Sequence, residues 1–478
     1  MMTLSELFGR QIFPDVEVTG ITADSRKVQS GFVFAAMPGT AVDGAKYIPQ
    51  AEEAGAVAVI APEGVTANVP VFTSTDSRHL LAVVASRFHG QRQPKIVAGV
   101  TGTNGKTSVA QFAQQIWSLC GRKSASMGTL GVHGDEFERE LHHTTPDPVE
   151  VHAVLDELQT EGFTHLALEA SSHGLTQRRI DGVKVSIAAF TNITRDHLDY
   201  HPTFDDYFRA KVRLFSEVLM DKGAAVIDMD GPNAPVLVEI AQSRRARVLR
   251  TGRNGSAVRI LKAEAKPHGL ECRFEISGRV ISVDLPLVGE FQASNVAVAA
   301  GIALASGEKP DAIGKALKNL NGVRGRMEAA GKARGAAVYV DYAHTPDAVA
   351  TALKALRPHV EGRLIALVGA GGDRDTEKRP MMGAAAAENA DLVIVTDDNP
   401  RSEDPADIRR AVMEGAPSAI EIGDRKKAIF HGVGEMEPGD IFAILGKGHE
   451  TGQTAKGVTT PHDDVAVARA ACAERGGQ

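Results

Sequence analysis

The chain has 478 residues, a formal net charge of −7, 43% hydrophobic residues and 24% charged residues. This composition is typical of a globular protein in water, and no basic stripe indicates a nucleic-acid partner. The three cysteines are far apart, no basic-then-apolar leader opens the chain and no apolar run reaches about 18 residues. We therefore expect a cytoplasmic protein without membrane insertion.

Short apolar runs alternate with longer amphipathic stretches along almost the whole chain. This alternation predicts an α/β fold with largely parallel sheets. At about 100–200 residues per domain, the length favours three domains. Breaks in the pattern place them at 1–93, 94–322 and 323–478.

In the first predicted domain, strands are expected at Phe32–Met37 and Ala56–Ala61, with a helix at Ile48–Ala54 between them. Glycine and proline at Gly90–Pro94 end the domain.

In the second domain, a strand is expected at Lys95–Thr101 and a helix from Thr107 to about Cys120, with apolar residues at helical spacing. Further strands are expected at Thr164–Ala170 and Ser186–Asn192. The segment Ala257–Val288 alternates apolar and polar residues, which favours an antiparallel patch.

In the third domain, four strands are expected with helices between them: Ala337–Asp341, Leu364–Gly369, Leu392–Thr396 and Ile441–Gly446. Polar loops follow these strands at their carboxyl ends. In open α/β sheets ligands bind at that edge.

A glycine-rich turn joins the first strand and helix of the second domain. Its residues are Gly102, Thr103, Asn104, Gly105, Lys106, Thr107 and Ser108. A phosphate chain needs inward backbone N–H groups, a helix N-terminus and a cation, and this turn offers all three. Lys106 can reach the β- and γ-phosphates, and Thr107 or Ser108 can hold Mg2+. The general phosphate-loop pattern has glycine where Val100 stands.

The segment from Thr101 to Thr107 resembles the ATP loop of the Mur ligase family, which carries this variant. Further family motifs follow in the family's order: Glu169-Ala-Ser-Ser-His-Gly, Asn192-Ile-Thr-Arg-Asp-His-Leu-Asp, Tyr207-Phe-Arg-Ala-Lys, Gly289-Glu-Phe-Gln-Ala-Ser-Asn295, Gly325-Arg-Met-Glu and Asp341-Tyr-Ala-His-Thr-Pro. The resemblance covers essentially the whole chain, and it is strongest to members that add the third residue of the peptide.

The resemblance implies three α/β domains that hold, in chain order, a UDP-linked precursor, ATP and an amino acid. The central one is of the P-loop ATPase type and the last is Rossmann-like. It implies a monomer that uses ATP and Mg2+ to add meso-2,6-diaminopimelate to UDP-N-acetylmuramoyl-L-alanyl-D-glutamate. The reaction passes through an acyl phosphate and belongs to peptidoglycan precursor synthesis.

Four residues carry the catalytic roles that the resemblance implies: Lys106, Glu169, His197 and Lys211. Thr107, Glu169, His197 and a carbamylated Lys211 are the implied metal ligands, since a carbamate turns a cation into an anionic oxygen ligand. Taken alone, Glu169 is a polar strand end and Lys211 a solvent-facing helical lysine.

The resemblance also implies two sets of nucleotide contacts. Beyond the phosphate loop, the ATP contacts are Asn295, Arg326, Asp341 and His344. The contacts to the UDP precursor are Ala23, Ser25, Thr144, Thr145, Ser171, Gln177 and Arg179. Thr40, Ala41 and Val42 align with a second UDP segment but differ from its familiar residues, and His143 stands where some members have asparagine.

Polar residues follow three strands of the third domain. They are Arg374, Asp398, Asn399, Pro400, Arg401, Gly446 and Glu450. Taken alone they are ordinary turn residues, although two arginines and an acid suit a zwitterionic amino acid with an extra carboxylate. In the family, Asp-Asn-Pro-Arg marks the members that accept meso-diaminopimelate, and lysine-adding relatives lack the arginine.

Two rival functions share the ATP loop. A folylpolyglutamate synthase is disfavoured by Asp24-Ser25-Arg26 and by Asp398–Arg401, and a non-catalytic P-loop regulator would not need Glu169, His197 and Lys211. Turnover of ATP that depends on both the UDP precursor and an amino acid would separate these functions.

Three other functions fail on their motifs. Ser171-Ser172-His173 lacks the Gly-x-Ser-x-Gly elbow of a serine hydrolase, and Gly369-Ala-Gly-Gly lacks the dinucleotide fingerprint. His133, His142 and His143 fit no common zinc spacing.

Overall fold

The computed structural model describes residues 2–39, 43–194 and 200–477. The predictions for Thr40, Ala41, Val42 and His197 lie outside the described residues. The chain divides into two compact units. Unit 1 consists of Met1–Val258 and Val298–Ile313, and unit 2 of Arg259–Ala297 and Gly314–Gln478.

The first fourteen strands lie in unit 1. They are β1 (Met2–Thr3), β2 (Glu17–Val18), β3 (Gly20–Thr22), β4 (Phe32–Ala35), β5 (Ala58–Pro62), β6 (Val71–Ser74), β7 (Ile96–Thr101), β8 (Ser124–Gly128), β9 (Gly131–Gly134), β10 (Phe137–Arg139), β11 (His165–Glu169), β12 (Val185–Phe190), β13 (Leu219–Asp228) and β14 (Arg247–Gly252).

Eight α-helices accompany these strands. They are α1 (Leu4–Phe8), α2 (Ile48–Glu53), α3 (Ser77–Phe88), α4 (Lys106–Leu119), α5 (Pro148–Thr160), α6 (Ser172–Thr176), α7 (Phe204–Arg213) and α8 (Ala234–Ser243).

The amino-terminal part of unit 1 is a parallel sheet in the order β3-β4-β5-β6. Its strands are apolar on both faces. Val33 and Ala35 of β4 enter one core, and Phe34 and Ala36 enter another. Parallel strands covered on both faces carry such continuous apolar runs.

A larger sheet of unit 1 contains the strands β10-β9-β8-β11-β7-β12-β13-β14 in that order. The strands from β8 through β14 in this order run parallel. Strand β7 therefore lies between β11 and β12, with Glu169 paired to Val100 and Phe190 to Thr101. This register brings the ends of three strands to the glycine-rich turn.

Helix α4 has the apolar stripe that its spacing predicts. Val109, Phe112, Ile116 and Trp117 are all fully buried, and burying each such side chain stabilises the fold by roughly 1.5–3 kcal/mol. The chain turns away at Gly121, whose φ of +79° suits glycine.

The described residues after β14 form eleven further strands. They are β15 (Val258–Lys266), β16 (Gly269–Ile276), β17 (Arg279–Leu285), β18 (Glu328–Ala333), β19 (Ala336–Asp341), β20 (Leu364–Val368), β21 (Leu392–Val395), β22 (Ile420–Glu421), β23 (Ile441–Leu445), β24 (Gly452–Ala455) and β25 (Val458–Pro461).

Seven more α-helices are described between residues 253 and 477. They are α9 (Phe291–Ala305), α10 (Pro310–Leu317), α11 (Pro346–Leu356), α12 (Lys378–Asn389), α13 (Pro405–Gly415), α14 (Arg425–Glu435) and α15 (Asp464–Glu474).

Unit 2 is built on a six-stranded sheet in the order β18-β19-β23-β20-β21-β22. Among these six described strands β18 alone runs antiparallel to its neighbour, so the carboxyl ends of the other five strands share one edge. Separate apolar clusters cover the two faces of this sheet. The antiparallel pairing of β16 with β17 confirms the patch expected at Ala257–Val288.

The predicted α/β class is confirmed, and the predicted strands differ from the observed ones by one or two residues at their ends. Within the three described ranges, no helix combines the length and the apolar character that crossing a membrane requires.

Candidate active site

The glycine-rich turn after β7 depends on two glycines with positive φ, Gly102 at +151° and Gly105 at +83°. A Cβ atom on Gly102 would lie 1.9 Å from Thr191 Oγ1. Only glycine can therefore occupy this position without moving the chain beside it.

The turn is fastened to the segment that follows β12. Asn192 O accepts a hydrogen bond from Thr103 N at 2.9 Å, and Asn192 Oδ1 accepts one from Asn104 N at 3.0 Å. Thr191 Oγ1 donates to Asn104 O at 2.6 Å. The loop conformation is thus set by protein contacts.

Lys106 is the first residue of α4, and its side chain folds back over the turn. Its Nζ donates to Gly102 O at 3.0 Å and to Thr103 O at 2.7 Å. The Lys106 ammonium therefore lies at the N-terminus of α4, which is the positive end of the helix dipole. Thr107 and Ser108 are buried in the same first turn. This is the donor set that a phosphate chain requires.

Lys211 of α7 is 1% exposed, so it is not the solvent-facing lysine that an isolated reading of the sequence would suggest. Its Nζ donates to Gly102 O at 2.7 Å and lies 4.3 Å from the ring centre of Tyr207. The Tyr207 hydroxyl is 3.0 Å from Thr103 Oγ1. Two lysine ammonium groups therefore contact the same turn.

Glu169, at the end of β11, is 3% exposed. Its Oε2 accepts a hydrogen bond from Thr107 Oγ1 at 3.0 Å, and its Oε1 accepts one from Thr129 N at 2.8 Å. A Cβ atom on Gly128 would lie 2.1 Å from Oε1, so this glycine makes room for the carboxylate. The oxygen ligands that Mg2+ prefers are gathered here at the edge of the phosphate loop.

Hydroxyl groups extend this cluster away from the loop. Thr129 Oγ1 is 2.9 Å from Thr144 Oγ1, and Thr145 Oγ1 donates to Glu169 O at 2.7 Å. Ser171 Oγ accepts a hydrogen bond from Gly174 N at 3.0 Å and so caps α6. Ser171 thus has a structural role in addition to any contact with a substrate.

Arg179 and Gln177 extend this series of hydrogen-bonded side chains. Arg179 Nη1 donates to Thr145 O at 2.6 Å, and its Nη2 donates to Gln177 Oε1 at 2.8 Å. Gln177 Nε2 donates to the Tyr200 hydroxyl at 3.1 Å. Burial lowers the pKa of Arg179, although a guanidinium remains charged at any ordinary pH. The residues expected to contact the precursor in the central domain are therefore contiguous.

The predicted precursor segment near the N-terminus forms a separate turn. Ser25–Lys27 is a short 3-10 helix capped by Asp24, and Ala23 before it is exposed. Hydrogen bonds from Arg26 hold the pKa of Asp24 below its usual value. Ser25 Oγ donates to Gln50 Oε1 at 3.1 Å. Among the described residues, neither Ala23 nor Ser25 is hydrogen-bonded to the phosphate-loop cluster.

In unit 2, Asp341 ends β19 and fixes the turn that carries Arg326. Its two carboxylate oxygens accept hydrogen bonds from Met327 N at 2.8 Å and Ala343 N at 2.9 Å. Burial raises the pKa of Asp341, and the charge of Arg326 opposes that rise. The guanidinium carbon of Arg326 lies 4.8 Å from the ring centre of Tyr342.

Two histidines flank the same ring. The ring centres of His344 and His449 lie 4.6 and 5.0 Å from that of Tyr342. Burial, reinforced by the nearby Arg326 charge, lowers the pKa of His449 to about 4. Asn295 stands apart on α9, where its Nδ2 donates to Gln292 Oε1 at 2.9 Å.

The loops after β20 and β21 pack on each other. A Cβ atom on Gly372 would lie 1.9 Å from Pro400 O, and Arg401 Nη1 donates to Gly372 O at 2.7 Å. A Cβ atom on Gly371 would lie 2.8 Å from Arg401 Nη1 and 3.9 Å from Arg374 Cγ. The two predicted arginines are therefore neighbours.

The loop after β23 completes this edge. Asn399 Nδ2 donates to Glu450 Oε2 at 2.9 Å. The position that a Cβ atom would take on Gly446 is 2.7 Å from Asp398 Oδ2, and Gly446 has a φ of +113°. All seven residues predicted for the amino acid thus lie on the loops of one sheet edge.

Two residues of these clusters escaped prediction. Thr129 follows Ser124–Gly128, a strand too small and polar to be recognised from its residues. Lys447 is completely buried beside Asn399 and Glu450. A signal for it existed, because a lysine between two glycines after an apolar strand marks a tight loop at a ligand-binding edge.

These features define an α/β nucleotide-binding protein with a phosphate loop, a carboxylate and two lysines at one sheet edge. Three family models match the chain: Mur ligase family, catalytic domain, at 17–96; Mur ligase middle domain at 100–303; and Mur ligase, glutamate ligase domain, at 325–448. The chain belongs to the Mur ligase family, which confirms the resemblance seen in its motifs.

Individual relatives agree with this assignment. The chain is 50% identical to the UDP-N-acetylmuramoyl-L-alanyl-D-glutamate–2,6-diaminopimelate ligase of Caulobacter vibrioides, over 97% of each chain. A solved structure of a ligase with the same name matches with a TM-score of 0.74 at 33% identity, over 99% of each chain. The MurF ligase of Thermotoga maritima in complex with ADP shares the fold, with a TM-score of 0.62 at 19% identity over 95% of this chain and 96% of that one.

Proposed function

We propose that this chain is the ATP-dependent ligase that joins meso-2,6-diaminopimelate to UDP-N-acetylmuramoyl-L-alanyl-D-glutamate in peptidoglycan precursor synthesis. The observation that carries the proposal is the contact of Asn399 with Glu450 beside the Arg401 loop, in a chain half identical to a ligase of that name. Such an edge offers a carboxylate to an ammonium and guanidinium groups to a carboxylate.

The phosphate loop, residues 102–108, binds the phosphates of ATP, with the backbone N–H groups at the start of α4 and the Lys106 ammonium around them. Lys106 neutralises charge that develops on the phosphoryl oxygens, which is the main requirement of phosphoryl transfer. Asn295, Arg326, Asp341 and His344 are the further residues that we assign to ATP binding.

Thr107, Glu169, His197 and a carbamylated Lys211 are the residues that would hold Mg2+. Thr107 Oγ1 and Glu169 Oε2 are 3.0 Å apart, and both are hard oxygen donors. Lys211 is buried and its Nζ lies 2.7 Å from Gly102 O, so a carbamate on this lysine would bring an anionic oxygen ligand to the phosphate loop. When bound, the metal supplies positive charge to the transferring phosphoryl group.

The UDP precursor binds through Ala23, Ser25, Thr144, Thr145, Ser171, Gln177 and Arg179. Its terminal carboxylate, the side-chain carboxylate of the D-glutamyl residue, is directed towards the phosphate loop. The row from Glu169 through Thr145 to Arg179 supports this placement, because it runs from the metal-ligand cluster outwards.

Ligation then takes two steps. The precursor carboxylate attacks the γ-phosphorus of ATP and ADP leaves, which gives an acyl phosphate. The amine of meso-diaminopimelate attacks the acyl carbon, loses a proton, and inorganic phosphate leaves. Arg374 and Arg401 bind the far carboxylate of diaminopimelate, and Gly446 and Glu450 receive its far ammonium. Asp398, Asn399 and Pro400 complete the diaminopimelate site.

We assign the three functional domains to residues 1–93, 94–322 and 323–478, and we expect a monomer that acts in the cytoplasm. Closure of the domains during turnover excludes water, because water would hydrolyse an acyl phosphate.

Phosphate release tests the proposal directly. The purified protein is given ATP, Mg2+ and the UDP-dipeptide precursor, with meso-diaminopimelate, lysine or glutamate as the amino acid. We expect release to depend on the precursor and on meso-diaminopimelate. Phosphate release that is equally fast with lysine would reject meso-diaminopimelate as the proposed substrate. Phosphate release with glutamate but with neither of the other two amino acids would reject the proposed ligase activity.

A further inference from the structure

Lys447 is a buried cation among the loops that follow β20, β21 and β23. These loops carry the residues predicted to bind the amino acid, and we call them the amino-acid edge. It is 0% exposed, and its Nζ donates to Gly452 O at 2.8 Å and to Asn399 Oδ1 at 2.9 Å and lies 3.4 Å from Glu450 Oε2. An ammonium has three donors, so these oxygens use all of them. A lysine is buried so completely only where its charge is compensated.

The first consequence concerns the orientation of Asn399. Its Oδ1 accepts hydrogen bonds from Lys447 Nζ and from Thr454 N, both at 2.9 Å. Two donors on one side leave a single orientation for the amide, with Nδ2 towards Glu450. Lys447 and the backbone N–H of Thr454 together therefore orient the amide that donates to Glu450.

The second consequence concerns Glu450. Lys447 and Asn399 both contact the same carboxylate oxygen, Oε2. Within the described part of the chain, Oε1 of Glu450 has no hydrogen-bond partner, and the side chain is 34% exposed. One oxygen is thus anchored and the other is held ready for an incoming donor.

The third consequence concerns Arg401. Lys447 anchors the start of β24, and Thr454 O within that strand accepts a hydrogen bond from Arg401 N at 3.0 Å. Arg401 has a φ of +53°, a left-handed conformation that a residue with a side chain keeps only where neighbours hold it. Lys447 is therefore connected to both the acidic and the basic side of this edge.

We propose that Lys447 is a positioning residue that sets amino-acid specificity by fixing Glu450 relative to Arg401. The ligand class it selects is an amino acid whose far end carries both an ammonium and a carboxylate. The identity of that amino acid rests on the proposed function above. Lys447 reaches the substrate only through Asn399, Glu450 and β24.

Replacement by methionine removes the charge and keeps most of the volume. In the full-length Lys447→Met variant, we expect the KM for meso-diaminopimelate to rise about 30-fold or more, as when one partner of a buried charge pair is lost. The KM for ATP should change by less than about twofold, because the hydrogen bonds that the structure describes for Lys447 go to Asn399, Glu450 and Gly452, which are assigned no part in ATP binding. Lys378→Met, a change at a 52% exposed lysine of the same unit, is the matched control. Equal rises in both KM values, or no rise in either, would overturn the proposal.

A double-mutant comparison separates positioning from general loosening of the unit. If Lys447 acts through Glu450, Glu450→Gln combined with Lys447→Met should raise the KM for the amino acid no further than the more damaging single change. Multiplying effects would contradict that route. If the methionine variant does not fold, Lys447→Gln, which keeps a donor but loses the charge, is judged by the same KM comparison.

The two proposals can fail separately. Should the wild-type enzyme use another amino acid, the proposed substrate is wrong, and the Lys447 test is then performed with the amino acid that is used. Should meso-diaminopimelate be the substrate while Lys447→Met leaves its KM unchanged, only the positioning role fails.

Discussion

The phosphate loop of unit 1 and the amino-acid edge of unit 2 both lie at the carboxyl ends of parallel strands, but they are built differently. The phosphate loop is a short stretch of backbone, shaped by Gly102 and Gly105 and closed by Lys106 three and four residues away from its acceptors. The amino-acid edge depends on side chains distant in sequence, since Asn399 meets Glu450 51 positions later.

This difference has a functional reason. Phosphate is recognised by any ring of backbone N–H groups with a nearby cation, so one local motif suffices. An amino acid with several charged groups needs charges at fixed separations, and only tertiary packing sets those separations. We therefore expect damage to the first region to stop chemistry, and damage to the second to change substrate binding.

The largest effect is expected at Lys106. Lys106→Ala should lower kcat by roughly 100-fold or more, as when one electrostatic contact to a transition state is removed. The fold should survive, because Lys106 Nζ donates to the main-chain oxygens of Gly102 and Thr103 in a turn that Asn192 and Thr191 also hold in place. Steady-state rates and thermal unfolding of Lys106→Ala and of the exposed Lys95→Ala would check this. Near-normal turnover in a folded Lys106→Ala protein would refute the assigned phosphate loop.

Lys211 offers a test of the metal site beside the same loop. Lys211→Ala should lose activity by a similar order, because the proposed metal ligand is removed, and short carboxylates should restore part of it by occupying the ligand position. The measurement is ligation rate with and without added formate or acetate, under ordinary air and after removal of CO2. Full activity of Lys211→Ala without CO2 would rule out an essential carbamate.

Arg401 tests the amino-acid edge. Arg401→Ala should raise the KM for meso-diaminopimelate tens- to thousands-fold, which corresponds to about 2–5 kcal/mol for a truncated buried charge pair. The KM for ATP should change little. Arg410, 72% exposed on α13, provides the matched alanine control. An unchanged KM for diaminopimelate in Arg401→Ala, or a wild-type preference for lysine, would contradict the specificity while leaving the ligase assignment in place.

The smallest effect is a pH dependence of stability in unit 1, away from both regions. Burial lowers the pKa of His152 and of His165 to about 4, from an ordinary value of 6.5. Because the unfolded chain binds protons first, this contribution to stability is complete above pH 6.5 and is lost as the pH falls towards 4. Each histidine should account for about 1–3 kcal/mol.

Urea unfolding of wild type and His152→Gln at pH 7.5 and pH 5.0 would measure this loss. The variant should lose less stability between the two pH values than wild type does. A parallel loss in both proteins would show that His152 does not titrate in the way its burial indicates.

The sequence by itself determined the α/β class, the strand and helix that carry the phosphate loop, and the family. Those features depend on local periodicity and on two glycines and a lysine at fixed spacing. Such patterns involve residues close together in the chain, so they can be read from the sequence without the fold. The roles assigned to the individual site residues stay predictions.

Only the tertiary structure decided which side chains meet. Thr129 reaches Glu169 across 40 positions, and Lys211 reaches Gly102 across 109, because the order of strands in the sheet brings their ends together. In the sequence Lys447 is only a lysine between two glycines. Its complete burial and its three oxygen partners are visible only in the structure. Burial converts an unremarkable charge into one that must be paired, and burial is a property of the folded chain alone.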